Sequence, residues 1–116
     1  MGRLSTHVLD TATGRPAAGV RIELWAVGPG DDTLLETAVT NSDGRTDKPL
    51  LEDEKMRAGW YRIVFFVGEY YRREEHRDAG SFLDRVAVEF RIADDSAGYH
   101  VPLLVTPWSY TTYRGS

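Results

Sequence analysis

The chain contains no cysteine, which excludes a disulfide framework, a thiol nucleophile and a thiolate metal site. It also lacks any apolar run approaching the roughly 18 residues that span a bilayer. Its first residues lack the apolar segment of a signal peptide. From these absences we expect a cytoplasmic protein with no membrane partner.

Positive charge is also scarce for a nucleic-acid-binding protein. The 14 lysines and arginines are outnumbered by 18 acidic residues, so the net charge is −4, which argues against a nucleic-acid partner. A glycine-rich phosphate loop and a Gly-x-Ser-x-Gly nucleophile elbow are both missing. The three histidines, at positions 7, 76 and 100, lack the close spacing of a zinc site. We therefore expect no metal. The alternative is a metal site formed by two histidines and a carboxylate that converge in the folded chain.

Short runs of β-branched and aromatic residues recur along the chain, separated by turn residues. The runs are residues 4–9, 20–27, 34–40, 60–67, 86–92, 100–106 and 109–114. Their spacing predicts an all-β antiparallel sandwich or barrel, with a single domain over residues 1–116. Residues 68–77 have helical charge spacing instead, with Glu69 four residues before Arg73, and Gly80 is placed to end a short surface helix.

The period of two along a strand sorts the end segments into faces. One face of each carries Ser5, His7 and Leu9 on the first strand, His100, Pro102 and Leu104 on the penultimate strand, and Thr111, Tyr113 and Gly115 on the last. Each of two strands thus places a histidine among small or apolar neighbours, as a catalytic residue or as a structural hydrogen-bonding residue. Pro102 cannot donate to a ladder, so it predicts an edge strand or a bulge.

Residues 41–45, Asn-Ser-Asp-Gly-Arg, predict a tight turn. Asn and Asp tolerate the left-handed region and Gly44 adopts it without strain, so the chain reverses and presents Arg45 at the start of the next strand. Arg45 is then either a solvated surface residue or a rigid fork of donors for a carboxylate-like or imide oxygen.

Six stretches together resemble one enzyme family. They are Ser-Thr-His-Val-Leu-Asp at residues 5–10, Gly-Arg-Pro-Ala-Ala-Gly-Val at 14–20, Asp-Gly-Arg at 43–45, Gly-Trp-Tyr-Arg at 59–62, Tyr-His-Val-Pro-Leu-Leu at 99–104 and Tyr-Arg-Gly-Ser at 113–116. The chain resembles the transthyretin-like 5-hydroxyisourate hydrolases over essentially its whole length. Transthyretin proper, the hormone carrier of the same fold, lacks the two histidines and the Tyr-Arg-Gly-Ser ending.

The resemblance implies a transthyretin-like β-sandwich of two four-stranded sheets with one short helix, assembled as a homotetramer with active sites in a channel between two dimers. The implied catalytic residues are His7, Arg45, His100 and Ser116, and the implied substrate-binding residues are Arg45, Leu104, Thr111, Tyr113 and Ser116. The implied reaction is hydrolysis of the cyclic amide of 5-hydroxyisourate in urate breakdown, by a histidine-activated water and without a metal or organic cofactor.

Two other functions fit the same sequence. A transthyretin-like carrier would hold a small aromatic ligand in the channel without turnover, although Tyr113 is bulky where the carrier has a small residue. A structural or adhesion sandwich, in which the histidines are incidental, would tolerate removal of residues 114–116. Saturable binding without turnover distinguishes the carrier, and normal behaviour after trimming distinguishes the structural protein.

Overall fold

Nine strands and one α-helix form the parts of the chain that the computed structural model describes, residues 2–73 and 82–115. The strands are β1 (Arg3–Asp10), β2 (Arg15–Pro16), β3 (Arg21–Val27), β4 (Thr33–Val39), β5 (Leu51–Glu52), β6 (Gly59–Phe65), β7 (Val86–Ile92), β8 (Gly98–Val105) and β9 (Tyr110–Thr112). The helix α1 is Val67–Arg73, and a 3₁₀ turn covers Asp53–Lys55. Every predicted run overlaps a strand, whereas the two-residue strands β2 and β5 are too short to show a period.

The strands form two sheets, which confirms the predicted transthyretin-like sandwich. One, the site sheet, has the order β2-β1-β8-β9, with β5 also paired to β1, and the second sheet has the order β4-β3-β6-β7. The second sheet has the expected four strands. The site sheet has five because both short strands pair with β1.

One pair of neighbours departs from the antiparallel pattern. Strands β1 and β8 run parallel over eight residue pairs, from Arg3 opposite Gly98 to Asp10 opposite Val105. Alternation along a strand sets which side chains share a face, but it carries no information on the direction of the neighbouring strand. The parallel pair matters because it brings the two ends of the chain side by side.

The core lies between the two sheets and follows the period of two. On β1 the buried residues alternate with partly exposed ones: Leu4, Thr6, Val8 and Asp10 are buried, and Ser5, His7 and Leu9 are not. The second sheet contributes further residues with no exposed surface, including Ile22, Leu24, Ile63 and Phe65. Each such apolar side chain contributes about 1.5–3 kcal/mol by leaving water. The face assignment for β1 is confirmed, and its histidine lies on the outer face.

Helix α1 overlaps the predicted helix, of which residues 74–77 and the expected terminator Gly80 lie outside the described residues. Its charged side is solvated, as expected. Glu69 binds a residue of β3, because its Oε2 lies 2.9 Å from Nη2 of Arg21. No helix within the described ranges is long and apolar enough to cross a membrane.

The opposite side of α1 is buried, which the expectation of a surface helix did not include. Tyr70 and Tyr71 are 5% and 0% exposed, and each hydroxyl donates to the Asp10 carboxylate at 2.9 Å. Asp10 itself is fully buried at the end of β1. A polar contact within the core therefore binds the helix to the site sheet.

Pro102 predicted an edge strand or a bulge, and the structure shows neither: β8 lies between β1 and β9, and its register with the C-terminal segment is the same on both sides of Pro102. The pairing with the C-terminal segment is interrupted instead. It stops at Leu103 opposite Thr112 and resumes at His100 opposite Gly115. Pro102 lies in this gap, where it has no N–H to donate, and its carbonyl accepts from the Thr112 hydroxyl at 2.7 Å.

Candidate active site

The outer face of β1, β8 and the C-terminal segment, the site face, gathers most of the predicted site residues in three rows. The rows are Ser5–His100–Gly115, then Arg45–His7–Pro102, then Leu9–Leu104–Thr111. Both histidines are partly exposed, in neighbouring rows on adjacent strands. Two residues along a strand amount to about 7 Å, so one small ligand can contact both rows.

Arg45 reaches this face because the turn of residues 41–45 docks against β1. The N–H of Val8 donates to the Gly44 carbonyl at 2.8 Å, and Arg45 forms an isolated antiparallel bridge with His7. Gly44 has a φ of +75°, and a Cβ there would clash with the Val8 carbonyl oxygen. Glycine is thus required for conformation and for close approach. The predicted turn is confirmed, but Arg45 lies in a single bridge and does not begin a strand.

Asn41 holds the shape of this turn. Its Oδ1 accepts from the backbone N–H of Asp43 at 2.9 Å and of Arg45 at 3.2 Å. Its own N–H donates to the Arg45 carbonyl at 2.8 Å, and its side-chain amide donates to Asp47 at 3.0 Å. This asparagine chemistry fixes the Arg45 backbone while the Arg45 side chain stays exposed.

The imidazole of His100 is held from two sides. Its Nδ1 lies 2.9 Å from the Ser5 hydroxyl oxygen. On the other side, Gly115 donates its N–H to the His100 carbonyl at 2.7 Å, and a Cβ at Gly115 would lie 2.9 Å from Cδ2 of the ring. Glycine at position 115 is therefore needed for the close approach of the C-terminal segment. Ser116, a predicted catalytic residue, lies outside the described residues.

The electrostatics of the site favour a neutral His100. Burial lowers the pKa of His100 below its ordinary value, and the positive charge of Arg45 and the electrostatic effect of His7 lower that pKa further. The imidazole is therefore uncharged at neutral pH and has a lone pair available to accept a proton. The same interactions show that Arg45, His7 and His100 lie within electrostatic reach of one another.

The remaining predicted ligand contacts lie beside these rows. Leu104 is partly buried between its neighbours, and Thr111 is exposed. Tyr113 is 58% exposed, and the register on either side of the gap places it level with Pro102. Tyr113 also lines a cavity of about 310 Å³ between β7 and the C-terminal segment. The structure thus leaves an aromatic and a hydroxyl side chain accessible at this edge.

Sequence reasoning missed two features of the site. Ser5 and Gly115 were assigned to faces but not to the chemistry, because their contact with His100 depends on pairing between the two ends of the chain.

For the metal alternative, no group of three or more histidine and acidic residues in the described ranges is arranged to hold an ion. His76 lies outside those ranges.

Comparison with known proteins adds a family and a set of relatives. A family model described as HIUase/Transthyretin matches residues 4–115. The 5-hydroxyisourate hydrolase of Deinococcus radiodurans is 51% identical over 113 residues, which cover 97% of this chain and 95% of the relative. The 5-hydroxyisourate hydrolase of Pseudomonas aeruginosa is 50% identical over 117 residues, covering 100% and 93%.

Solved structures share the fold. The 5-hydroxyisourate hydrolase of Klebsiella pneumoniae superimposes with a TM-score of 0.83 at 33% identity, covering 100% of both chains. An (S)-allantoin synthase gives 0.93 at 43% identity over 99% of this chain, which spans 44% of that longer protein. Sea bream transthyretin in complex with thyroxine gives 0.85 at 28% identity, covering 97% and 94%. One scaffold therefore supports the hydrolases and a thyroxine-binding protein.

Proposed function

The chain belongs to the HIUase/Transthyretin family, and from that premise we propose that it hydrolyses the cyclic amide bond of 5-hydroxyisourate. The 5-hydroxyisourate hydrolases of Deinococcus radiodurans and Pseudomonas aeruginosa, which match over nearly their whole length, support the substrate. The observation that carries the proposal is the pairing of His7 with Arg45 in the row next to His100, on the same face of the sheet. The cluster offers a base and a cation to a reacting carbonyl, and binding by a carrier requires neither.

The first step is activation of water. Water is a weak nucleophile at neutral pH, so a base must remove its proton as it attacks the amide carbonyl. His100 is suited to this role because its lowered pKa keeps it neutral. His7, in the next row, orients the water, and one of the two imidazoles returns a proton to the leaving nitrogen. Such acid–base assistance is typically worth about 10²–10⁴-fold in rate.

Arg45 provides the positive charge that the reaction needs. As water adds to the carbonyl, the oxygen becomes negative, and the guanidinium of Arg45, whose backbone is held on the docked turn, would stabilise it. The planar fork of Arg45 also matches the adjacent oxygens of a flat ring. Leu104, Thr111 and Tyr113 would line the ligand, and Ser116 would contribute its hydroxyl or its terminal carboxylate. No metal or organic cofactor takes part.

We also propose that two site faces oppose each other in a homotetramer, a dimer of dimers, of this single domain. On one chain the site face is an open sheet surface, and water-excluded sites strengthen electrostatic catalysis. Large apolar side chains lie exposed at the same edge, where Trp108 is 57% and Tyr110 is 45% exposed. A second copy that covers this edge would bury them and close the face into a channel.

The test is the decay of 5-hydroxyisourate, generated from urate by a uricase and followed by its absorbance with and without the protein. We expect clear acceleration over spontaneous decay. His100→Asn should keep the assembly and lower kcat by about 10²–10⁴-fold, the value of general acid–base help. Size-exclusion chromatography with light scattering checks the tetramer. Saturable ligand binding without acceleration would instead identify a carrier.

A further inference from the structure

The hydroxyl of Ser5 lies against the histidine that the proposed hydrolysis depends on. We propose that Ser5 is a positioning residue for His100: its oxygen accepts the imidazole Nδ1–H and thereby leaves the lone pair on Nε2, towards the site face. This inference rests on the proposed function, since it assigns which nitrogen acts as the base. It adds a residue that touches neither water nor substrate.

The backbone itself sets this contact. Ser5 and His100 are directly opposite each other in the parallel pair of β1 and β8, although 95 residues separate them along the chain. The Oγ–Nδ1 distance is 2.9 Å, normal for a hydrogen bond, and the pair is partly buried. Two rigid neighbouring strands therefore hold donor and acceptor in register, and no loop movement is needed to form the bond.

The bond to Ser5 also selects one orientation of the ring. Turning the ring about its Cβ–Cγ bond would exchange Nδ1 with Cδ2 and lose that bond. On the other edge Gly115 packs so closely that a Cβ at position 115 would lie 2.9 Å from Cδ2. Ser5 therefore holds Nδ1, and Nε2 is the nitrogen that remains for chemistry.

The direction of the hydrogen bond decides what His100 can do. A neutral imidazole carries one N–H, and a hydroxyl can either donate or accept. If Ser5 donated, the ring proton would sit on Nε2 and that nitrogen could not accept a proton from water. Hydrolysis needs an acceptor at Nε2, so we assign the ring proton to Nδ1 and the acceptor role to Ser5.

The proton then follows a closed path. Water attacks the amide carbonyl carbon, its O–H bond breaks, and the proton goes to Nε2 of His100. The imidazolium that forms carries an N–H on both nitrogens and keeps its Nδ1–H bond to Ser5. When the C–N bond breaks, the Nε2 proton passes to the leaving nitrogen. Ser5 neither gains nor loses a proton, so its role is orientation of the ring and of its tautomer.

Nitrogen NMR of ¹⁵N-histidine-labelled protein reads the tautomer directly and needs no turnover. We expect Nδ1 of His100 to be protonated and Nε2 unprotonated in the neutral wild-type protein. Ser5→Ala should mix the two tautomers, and Ser5→Thr, which keeps the hydroxyl, should restore the wild-type pattern. Ser96→Ala is the matched control, because it removes a hydroxyl bonded to Asp94 in a distant turn. A wild-type ring protonated at Nε2 overturns the proposal.

The pKa of His100 gives an independent test, because Ser5→Ala should shift it in opposite directions depending on whether Ser5 accepts or donates the hydrogen bond. The groups that face the ring among the described residues are Ser5 and His7 on β1, Arg45 on the turn, and the Gly115 backbone. An acceptor at Nδ1 stabilises the imidazolium, so its loss in Ser5→Ala should lower the pKa of His100 in an NMR titration. A raised pKa would mean that Ser5 donates, and the proposal would fall.

Kinetics complete the design. In the 5-hydroxyisourate assay we expect Ser5→Ala to lower kcat on the order of 10- to 100-fold, as for other residues that orient a reacting histidine, with KM changed less than about twofold. Thermal unfolding shows whether the variant is folded. Wild-type protein with the expected tautomer but no turnover would count against the proposed function and leave the Ser5 contact intact.

Discussion

Strand β1 carries two polar sites that differ in how completely they are bonded. On its buried face, Asp10 accepts from Tyr70, Tyr71 and the Ala12 N–H at 2.9–3.0 Å. On its outer face, no hydrogen bond within the described part of the chain involves the side chain of His7. Buried polar groups are costly unless they are bonded, whereas a group that acts on a ligand must keep bonding capacity free. One strand thus separates stability from chemistry by the alternation of its side chains.

The largest expected effect is on stability, from removal of the buried acceptor. Asp10→Ala would remove two buried hydrogen bonds from tyrosine hydroxyls to a carboxylate, although Tyr71 keeps its second acceptor, the Val105 carbonyl. At about 1.5–3 kcal/mol for each hydrogen bond to a charged group, the free energy of unfolding should fall by about 3 kcal/mol or more. Asp31→Ala, at an exposed loop carboxylate, is the control and should change it by less than about 0.5 kcal/mol. Chemical unfolding at fixed protein concentration measures both. An Asp10 variant as stable as its control would contradict the account of the buried face.

The reverse outcome is expected on the outer face. Arg45→Gln should lower kcat/KM by about 10²–10³-fold, as for loss of one group that stabilises a developing oxyanion. Its free energy of unfolding should change little. Arg57→Gln removes another exposed arginine away from the site face and should leave activity unchanged. If both variants kept wild-type turnover in the 5-hydroxyisourate assay, Arg45 would be a solvated surface residue.

A glycine pair sharpens the comparison, because Gly44 and Gly14 have nearly the same backbone. Their φ angles are +75° and +78°, but a Cβ at Gly44 would clash with Val8 while a Cβ at Gly14 would meet nothing within 4 Å. Alanine should cost about 1–3 kcal/mol of strain at each position. Only Gly44→Ala should also lift the turn from β1, separate Arg45 from His7 and reduce turnover. Equal turnover in the two variants would show that the docked turn is not needed.

Local chemistry made part of this architecture predictable. The strands, the outer placement of His7 and the reversal at Gly44 follow from the period of two and from the left-handed preference of Asn-Asp-Gly sequences. These features depend on residues within a few positions of one another. Family resemblance, on motifs that include both ends of the chain, also predicts a catalytic role for the two histidines.

The remaining features depend on pairing between distant segments. The Ser5–His100 contact and the parallel direction of β8 follow from bringing residues 95 positions apart into one register, and the close approach of Gly115 follows from pairing of the C-terminal segment with β8. Asp10 looked like any residue at the end of a strand, and its burial under the tyrosines of α1 appears only in the folded chain. Periodicity assigns faces but does not identify neighbours, so it could not reveal these partners.

The smallest expected effect is a shift in the pH dependence of kcat/KM, which tests whether Arg45 acts on His100. The base must be neutral to act, so activity should rise as pH increases through the pKa of His100. Because burial is the largest cause of the lowered pKa of His100 and the charge of Arg45 lowers it further, the acid limb of kcat/KM should lie below pH 6.5. Arg45→Gln removes one positive neighbour, so the limb should move to higher pH yet stay below 6.5, since burial remains. Profiles corrected for spontaneous decay, with an NMR titration of His100, measure both shifts. If the acid limb of the wild-type kcat/KM profile lay above pH 6.5, a group other than His100 would be the base, and the role proposed for this histidine would be wrong.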